Sequence, residues 1–279
     1  MNSFPPFAEL LPPDFLSSMW GRRHHLEAPN PKLVDCFVQR LGPLDFRAIA
    51  ARSTRVQGWF TSDLGFSAIA LDVEAVQGAY ATGATLHFND IDLADCVGSC
   101  ARFLGAQPSK VIANLFATPA GGRVARHFDA NENFTIQLAG KKRWYVAPCR
   151  DFIEPPVNHV EGTAVSEQLE FARRPSLDGE GIEACVDLVP GSLLYVPRGF
   201  WHATEAMEDS LSVNLCYGKA MWVDVLCEAL YAHLLKQPAW RATALGYCGH
   251  GLPGELTDLL SLLSLQGTDV HRLLSRFND

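Results

Sequence analysis

No apolar run in this chain approaches the roughly 20 residues needed to cross a bilayer, which argues against a membrane helix. The first residues, Met1-Asn-Ser-Phe-Pro-Pro-Phe7, lack the basic start and apolar core of a signal peptide. Together these absences predict a cytoplasmic protein. Positive charge is scarce: 23 Lys and Arg stand against 31 Asp and Glu, for a net charge of -8. That balance argues against nucleic-acid binding through the whole surface and is compatible with a basic protein or peptide partner. Charged residues make up only 19% of the chain and hydrophobic ones 48%, so disorder is excluded and a substantial core is expected. There is no internal repeat, no low-complexity run and no paired Cys-x-x-Cys. The eight cysteines (36, 96, 100, 149, 185, 216, 227 and 248) lie singly in apolar contexts, with only Cys96 and Cys100 close together. They read as reduced core thiols and as a poor zinc signal.

What is present centres on Arg126 to Pro148. His127 and Asp129 lie two residues apart, and side chains at i and i+2 of a strand share a face. A third candidate ligand, His202, follows the segment Pro190-Gly-Ser-Leu-Leu-Tyr-Val-Pro-Arg-Gly-Phe-Trp. Two imidazoles and one carboxylate suit a mid-row divalent metal and leave its opposite positions open, the arrangement of non-haem Fe(II) oxygenases. An isolated His-x-Asp is short and common. This one follows a turn, and the chain between it and His202 reads as the strands needed to bring the two together. The other histidines, His24, His25, His87, His159, His233, His250 and His271, have no comparable setting.

The patterning divides the chain. Asp14 is a plausible cap for a short helix carrying Phe15, Leu16 and Met19, and His24 and His25 read as a surface or edge segment. Residues 31–41 predict a helix with Leu33, Phe37 and Leu41 on one face. Residues 55–80 mix strand-like and helical pieces without a clear period. Residues 85–89 predict a strand, and 92–104 an amphipathic helix with Asp92 as cap and Gly105 after its end. From 110 the period is two, with strands predicted at 110–117, 124–128, 133–138, 143–146, 185–188, 193–196, 201–206 and 210–217. The stretch 149–183 predicts a long polar loop, functional or mobile. Eight short strands with tight turns predict a mainly β chain with some α: a double-stranded β-helix, or cupin jelly roll. After Gly218 helices are expected at 221–236, 252–265 and 269–277, with Pro238 stopping the first. The expected division is 1–82, α/β elements packing on the barrel; 83–218, the barrel; and 219–279, a helical segment whose apolar stripe suits a homodimer.

Several of these stretches resemble JmjC-type cupins, most closely the ribosomal-oxygenase branch. The resemblance is carried by Thr85-Leu-His-Phe-Asn, Asn114 on the strand ending Thr118-Pro, His127-x-Asp129, Gly140-Lys-Lys-Arg-Trp-Tyr and Pro190-Gly-Ser. It continues through Tyr195-Val-Pro-x-Gly-x-x-His202 and the helix ending Gln237-Pro-Ala-Trp-Arg241. These cover residues 83–240 in the family's order. The resemblance implies hydroxylation dependent on Fe(II), 2-oxoglutarate and O2, with His127, Asp129 and His202 as both metal ligands and catalytic centre. It implies that Lys142 grips the far carboxylate of 2-oxoglutarate, a task suited to a compact point charge. Lys141 and Arg143 alternate away and read as solvated charges, while Arg126 and Arg198 flank the ligands near the barrel mouth. Asn114, Asn133, Thr135 and Asn214 are polar where apolar residues pack more easily. They either contact the cosubstrate or substrate, or serve as satisfied core groups.

The implied substrate is a side chain of a protein or peptide. The alternatives are a small natural product, a metal-binding cupin without turnover, and a zinc isomerase or thiol dioxygenase on the same barrel. The last usually uses three or more histidines. An acidic chain argues against a tRNA substrate. Only residues 241–279 follow Trp240, fewer than the winged-helix domain that ribosomal oxygenases carry beyond this point, so the means of substrate selection is left open.

Overall fold

The computed structural model describes residues 4–41, 45–62, 65–174, 183–218 and 221–241. Its strands are β1 His25–Glu27, β2 Arg55–Ser62, β3 Gly65–Leu71, β4 Thr85–Asn89, β5 Val111–Thr118, β6 Arg123–Phe128 and β7 Glu132–Ala139. They continue as β8 Lys142–Pro148, β9 His159–Val160, β10 Ala184–Leu188, β11 Leu193–Val196, β12 Phe200–Ala206 and β13 Ser210–Tyr217. An eight-stranded sheet runs β1-β11-β7-β13-β5-β4-β2-β3, and a five-stranded sheet runs β10-β8-β12-β6-β9. Every pairing is antiparallel. Each sheet contributes four of the eight strands expected from the period-two pattern, so the jelly roll is present.

Alternation along the strands decides where the core lies. Phe134, Ile136 and Leu138 of β7, Val213 and Leu215 of β13, and Ala113 and Leu115 of β5 share one face of the larger sheet and join the main core. That core is completed by the N-terminal segment and by the helices Pro31–Leu41 and Ala94–Leu104, through residues such as Phe7, Leu33, Phe37 and Cys100. Phe7 meets Phe134 edge-on at 5.0 Å, and Phe15 meets Tyr195 at 4.9 Å. Each fully buried Phe contributes about 1.5–3 kcal/mol. The intervening residues, among them Asn114, Thr135, Ser212 and Asn214, turn to the other face and line a cavity between the sheets. The apolar side of this sheet thus packs under helices, and its polar side faces the barrel interior.

Two turns depend on glycine. Gly140, between β7 and β8, has φ +64°, and a Cβ there would collide with the Asp209 carbonyl. Gly191, before β11, has φ +92°, and its Cβ would come within 2.7 Å of Asn30 N and O. Left-handed backbone and close approach together leave room only for hydrogen.

Several expectations need correction. Asp14 makes no side-chain cap; its carbonyl instead accepts from Ser17 Oγ at 2.9 Å. The helix expected from Asp92 begins at Ala94, with buried Leu93 in the cap position. Residues 55–80 contain a β-hairpin, β2–β3, and a helix, Val76–Ala81. The stretch 149–183 is not wholly irregular: it holds β9 and the helix Glu167–Glu170, and Phe152 and Leu169 pack in a small core with Phe128 and Cys149. Cys185 and Cys227 are exposed rather than buried, and no described cysteine forms a disulfide. Burial pushes the Cys96 and Cys100 thiols up to about 12, so they remain protonated.

The chain separates into two compact units, 1–218 and 219–279. In the second, the helix Trp222–Leu234 buries Ala229 and exposes Trp222, Val223, Leu226 and Tyr231, and the turn Pro238–Arg241 follows. The helices expected at 252–265 and 269–277 lie outside the described residues. No described helix is long and apolar enough to cross a membrane.

Candidate metal centre

Adjacent strands of the five-stranded sheet bring two of the candidate ligands together. His127 on β6 lies directly opposite His202 on β12, with ring centroids 4.2 Å apart. Asp129 lies just beyond the end of β6. One ligand atom from each of the three falls within 4.8 Å of the others. Both imidazoles are oriented from behind: Nδ1–H donates to the carbonyl two residues back, Ala125 O at 2.7 Å for His127 and Phe200 O at 3.0 Å for His202. That tautomer leaves Nε2 as the free lone pair.

Burial, and then the neighbouring His127, push the His202 pKa down to about 4, against an opposing pull from Asp129. The ring is therefore neutral at physiological pH, as a metal ligand must be. His202 Nε2 stands 3.7 Å from Asp129 Oδ2, a span too long for a hydrogen bond. It suits two donors about 2.0–2.2 Å from one shared ion. Asn133 Nδ2 donates to Asp129 Oδ2 at 2.8 Å, and Asn214 Nδ2 contacts Asn133 Oδ1 at 3.4 Å. The Trp144 ring stacks on His202 at 5.6 Å.

Behind these residues lies a cavity of about 390 Å³. Lys142 on β8 closes one part of it. Its register partner on β12 is Ala206, four residues from His202, or about 13 Å at the rise of a strand. The Lys142 side chain is buried, and Nζ donates to Thr118 Oγ1 at 3.0 Å on the opposite sheet. No carboxylate among the described residues pairs with it, and burial alone pulls its pKa down to about 8. Asn114, Asn214 and Thr135 form one row across β5, β13 and β7. Thr135 Oγ1, Asn214 Oδ1, Thr204 Oγ1 and Trp144 Nε1 all face this cavity, buried and without a partner. Orphaned buried polar atoms are rare unless something completes them. A buried cation, the unsatisfied hydroxyl and indole donors, and a His–Asp–His set fit a small dianion held between a cation and a metal.

The row residues differ in role. Asn114 is satisfied, receiving Asp90 N and donating to Cys216 Sγ, while Thr135 and Asn214 keep free oxygens. Asn133 braces Asp129 and is not on the cavity wall.

A second cavity of about 330 Å³ shares His127 and Asp129 with the first and forms a vestibule. Trp59 and Phe66 of the β2–β3 hairpin form part of it, and Asn158, His159, Thr163 and Ser166 of the 149–183 stretch another. Apart from Asp129, none of its lining residues is an acid, a lysine or an arginine.

Here the chain reading missed residues. His87 lines the deeper cavity, stacked on Phe116 at 4.3 Å and edge-on to Trp59 at 4.6 Å. Burial holds its pKa down at about 3. His159 borders the vestibule through the pairing of β9 with β6. The available signal was the alternation of the predicted strand at 85–89, which puts His87 opposite Leu86 and Phe88. Trp59 lay in a stretch with no readable period.

Neither Arg126 nor Arg198 lines either cavity. Arg126 lies 5.7 Å over Trp201 and pairs with Glu161 and Glu183; Arg198 pairs with Glu154. Lys141 and Arg143 are not merely solvated: both bind Asp187, at 2.8 and 2.7 Å.

A family model described as the JmjC domain matches residues 87–224. Over 181 residues the chain is 28% identical to an uncharacterized protein, YxbC, of Bacillus subtilis (strain 168), covering 60% of this chain and 54% of that one. It is 32% identical over 131 residues to ribosomal oxygenase 1 of Danio rerio, covering 44% of this chain and 21% of the relative. The chain thus spans about half the length of the first relative and a fifth of the second. The structure of YcfD, a ribosomal oxygenase from Escherichia coli in complex with cobalt and 2-oxoglutarate, matches with a TM-score of 0.58 at 19% identity. That match covers 95% of this chain and 70% of the other, and establishes a shared fold.

Proposed function

Because this chain belongs to the JmjC-domain family, we propose that it is an Fe(II)- and 2-oxoglutarate-dependent dioxygenase that hydroxylates an amino-acid side chain of a protein or peptide. The observation that carries this reading is Lys142: a buried cation without a counter-charge, in a cavity whose other side presents His127, Asp129 and His202. A cupin that only stored metal would have no use for it.

When bound, the ferrous ion would supply the redox chemistry by which O2 oxidatively decarboxylates 2-oxoglutarate to succinate and CO2 and places its second oxygen atom in a substrate C–H bond. The protein holds the parts. His127, Asp129 and His202 would hold the ion by one face. Lys142 would bind the distal carboxylate, and the Thr135 hydroxyl, unsatisfied on the wall of the same cavity, can donate to it. Asn133 keeps Asp129 turned towards the histidines, and Asn114 ties β5 to Cys216 of β13. Burial of Lys142 and His202 between the sheets strengthens their polar contacts.

The vestibule supports a substrate side chain that enters uncharged, because a cation desolvated there would find no free carboxylate. The names of the relatives, ribosomal oxygenases, support a protein target. The organisation that follows is a set of N-terminal elements, 1–82, that buttress the barrel; a catalytic barrel, 83–218; and a C-terminal segment, 219–279, that pairs two copies through the exposed apolar face of the helix Trp222–Leu234. A reducing, cytoplasmic setting is consistent with the free cysteines.

Anaerobic titration of Fe(II) with 2-oxoglutarate tests the centre. The expected weak visible band of the chelate should be lost in His127→Ala. A band unchanged in that variant, or absent from wild type, overturns the reading. Incubation with lysate proteins, searching by mass for one added oxygen, identifies the substrate. Sedimentation reports whether the chain pairs.

A further inference from the structure

The outward N–H and C=O groups of an edge strand are a template for another strand, and proteins guard them with short strands, charges, prolines or bulges. Three of the four edges described here are guarded. β1 has three residues and carries the His25–Glu27 contact of 2.6 Å. β9 has two residues. β10 carries Asp187, tied to Lys141 and Arg143.

β3 differs. Its seven residues, Gly65-Phe-Ser-Ala-Ile-Ala-Leu71, include no charge and no proline. It pairs with β2 from Val56↔Leu71 to Ser62↔Gly65 without a register shift, and it has no other described strand partner. Ser67 to Ala70 are exposed, Ile69 by 48%. A long, flat, apolar edge is an aggregation hazard unless something uses it.

Its position indicates what does. Phe66, near the start of β3, lines the vestibule with His127 and Asp129, and its ring meets Trp59 at 5.6 Å. The bare edge is therefore continuous with the mouth of the candidate site. We propose that β3 docks an extended segment of the substrate by strand addition, extending the eight-stranded sheet and directing one side chain into the vestibule. This rests on the reading of the site as a peptide hydroxylase. Main-chain bonds to β3 would hold segments of varied sequence, while the vestibule reads the one side chain that reacts. Continuity with the vestibule favours the substrate over a second copy of this chain, which has no need to reach the metal ligands.

The probe is a library of random-sequence dodecapeptides. Alternate residues of an antiparallel strand direct their N–H outward. Of the single variants Ala68→Pro and Ile69→Pro, one therefore removes an outward donor and spares the bonds to β2. The variant that keeps wild-type thermal unfolding and wild-type substrate-free 2-oxoglutarate turnover should hydroxylate the library about tenfold less, the equivalent of one lost hydrogen bond. Undiminished hydroxylation overturns the proposal. In wild type, amide exchange at Ser67 to Leu71 should slow when the best-hydroxylated library peptide is added; unchanged exchange also overturns it. Protection that grows with protein concentration in the absence of peptide assigns the edge to a second copy instead. Wild type that consumes 2-oxoglutarate but hydroxylates no library peptide refutes the docking alone, whereas wild type that consumes none refutes the reading of the site.

Discussion

Replacing Lys142 with Met should make the ligand-free protein more stable while removing its grip on 2-oxoglutarate. Burial moves the Lys142 pKa from 10.5 to about 8. At about 1.4 kcal/mol per unit, holding the charge at this buried position costs on the order of 3 kcal/mol. Met fills a similar volume without the charge, but the Thr118 hydroxyl loses its partner, worth about 1 kcal/mol. The net gain is on the order of 2 kcal/mol, or about 5 °C in a unit of this size.

The sign with pH follows from linkage. Between pH 8 and 10.5 the unfolded chain binds the lysine proton and the folded one does not, so wild-type stability rises with pH across that window. The advantage of Lys142→Met is therefore full below pH 8 and closes towards pH 10.5. Thermal unfolding of metal-free protein at pH 7 and pH 10 measures it. Added 2-oxoglutarate with Co(II) should stabilise wild type but not the variant, whose affinity for the diacid should fall by about two to three orders of magnitude. A variant less stable than wild type at pH 7, or an advantage independent of pH, would mean that Lys142 is solvated or paired, and the argument from an unsatisfied cation would fail.

Asn133→Ala should leave Asp129 free to rotate and weaken Co(II) binding about 10- to 100-fold, read from the visible absorbance of the bound ion. Unchanged affinity would show that the amide does not orient the carboxylate. Gly140→Ala should lower stability to urea by on the order of 3 kcal/mol, because a left-handed residue also meets the Asp209 carbonyl. Gly105→Ala, equally left-handed at φ +63° but with nothing within 4 Å, should lose only about 1 kcal/mol. Equal losses would remove the steric part of the argument.

Local pattern alone determined much of this protein. The eight barrel strands follow from alternation, because a side chain's face on a strand depends only on its parity. The same rule put Lys142 on the opposite face from Lys141 and Arg143, and named His127 and Asp129 as neighbours. What local pattern cannot carry is distance across the chain. That His202 stands opposite His127 is a matter of strand register, set by turns such as Gly140 and Gly191 and by the packing of the larger sheet under its helices. Trp59 and His159 entered the cavity walls only because the β2–β3 hairpin and residues 158–166 border the vestibule, and His87 because β4 pairs with β5 in the larger sheet. Asn133 went to Asp129 rather than to the cavity wall for the same reason: hydrogen-bond partners are chosen by proximity in space, which sequence separation does not encode.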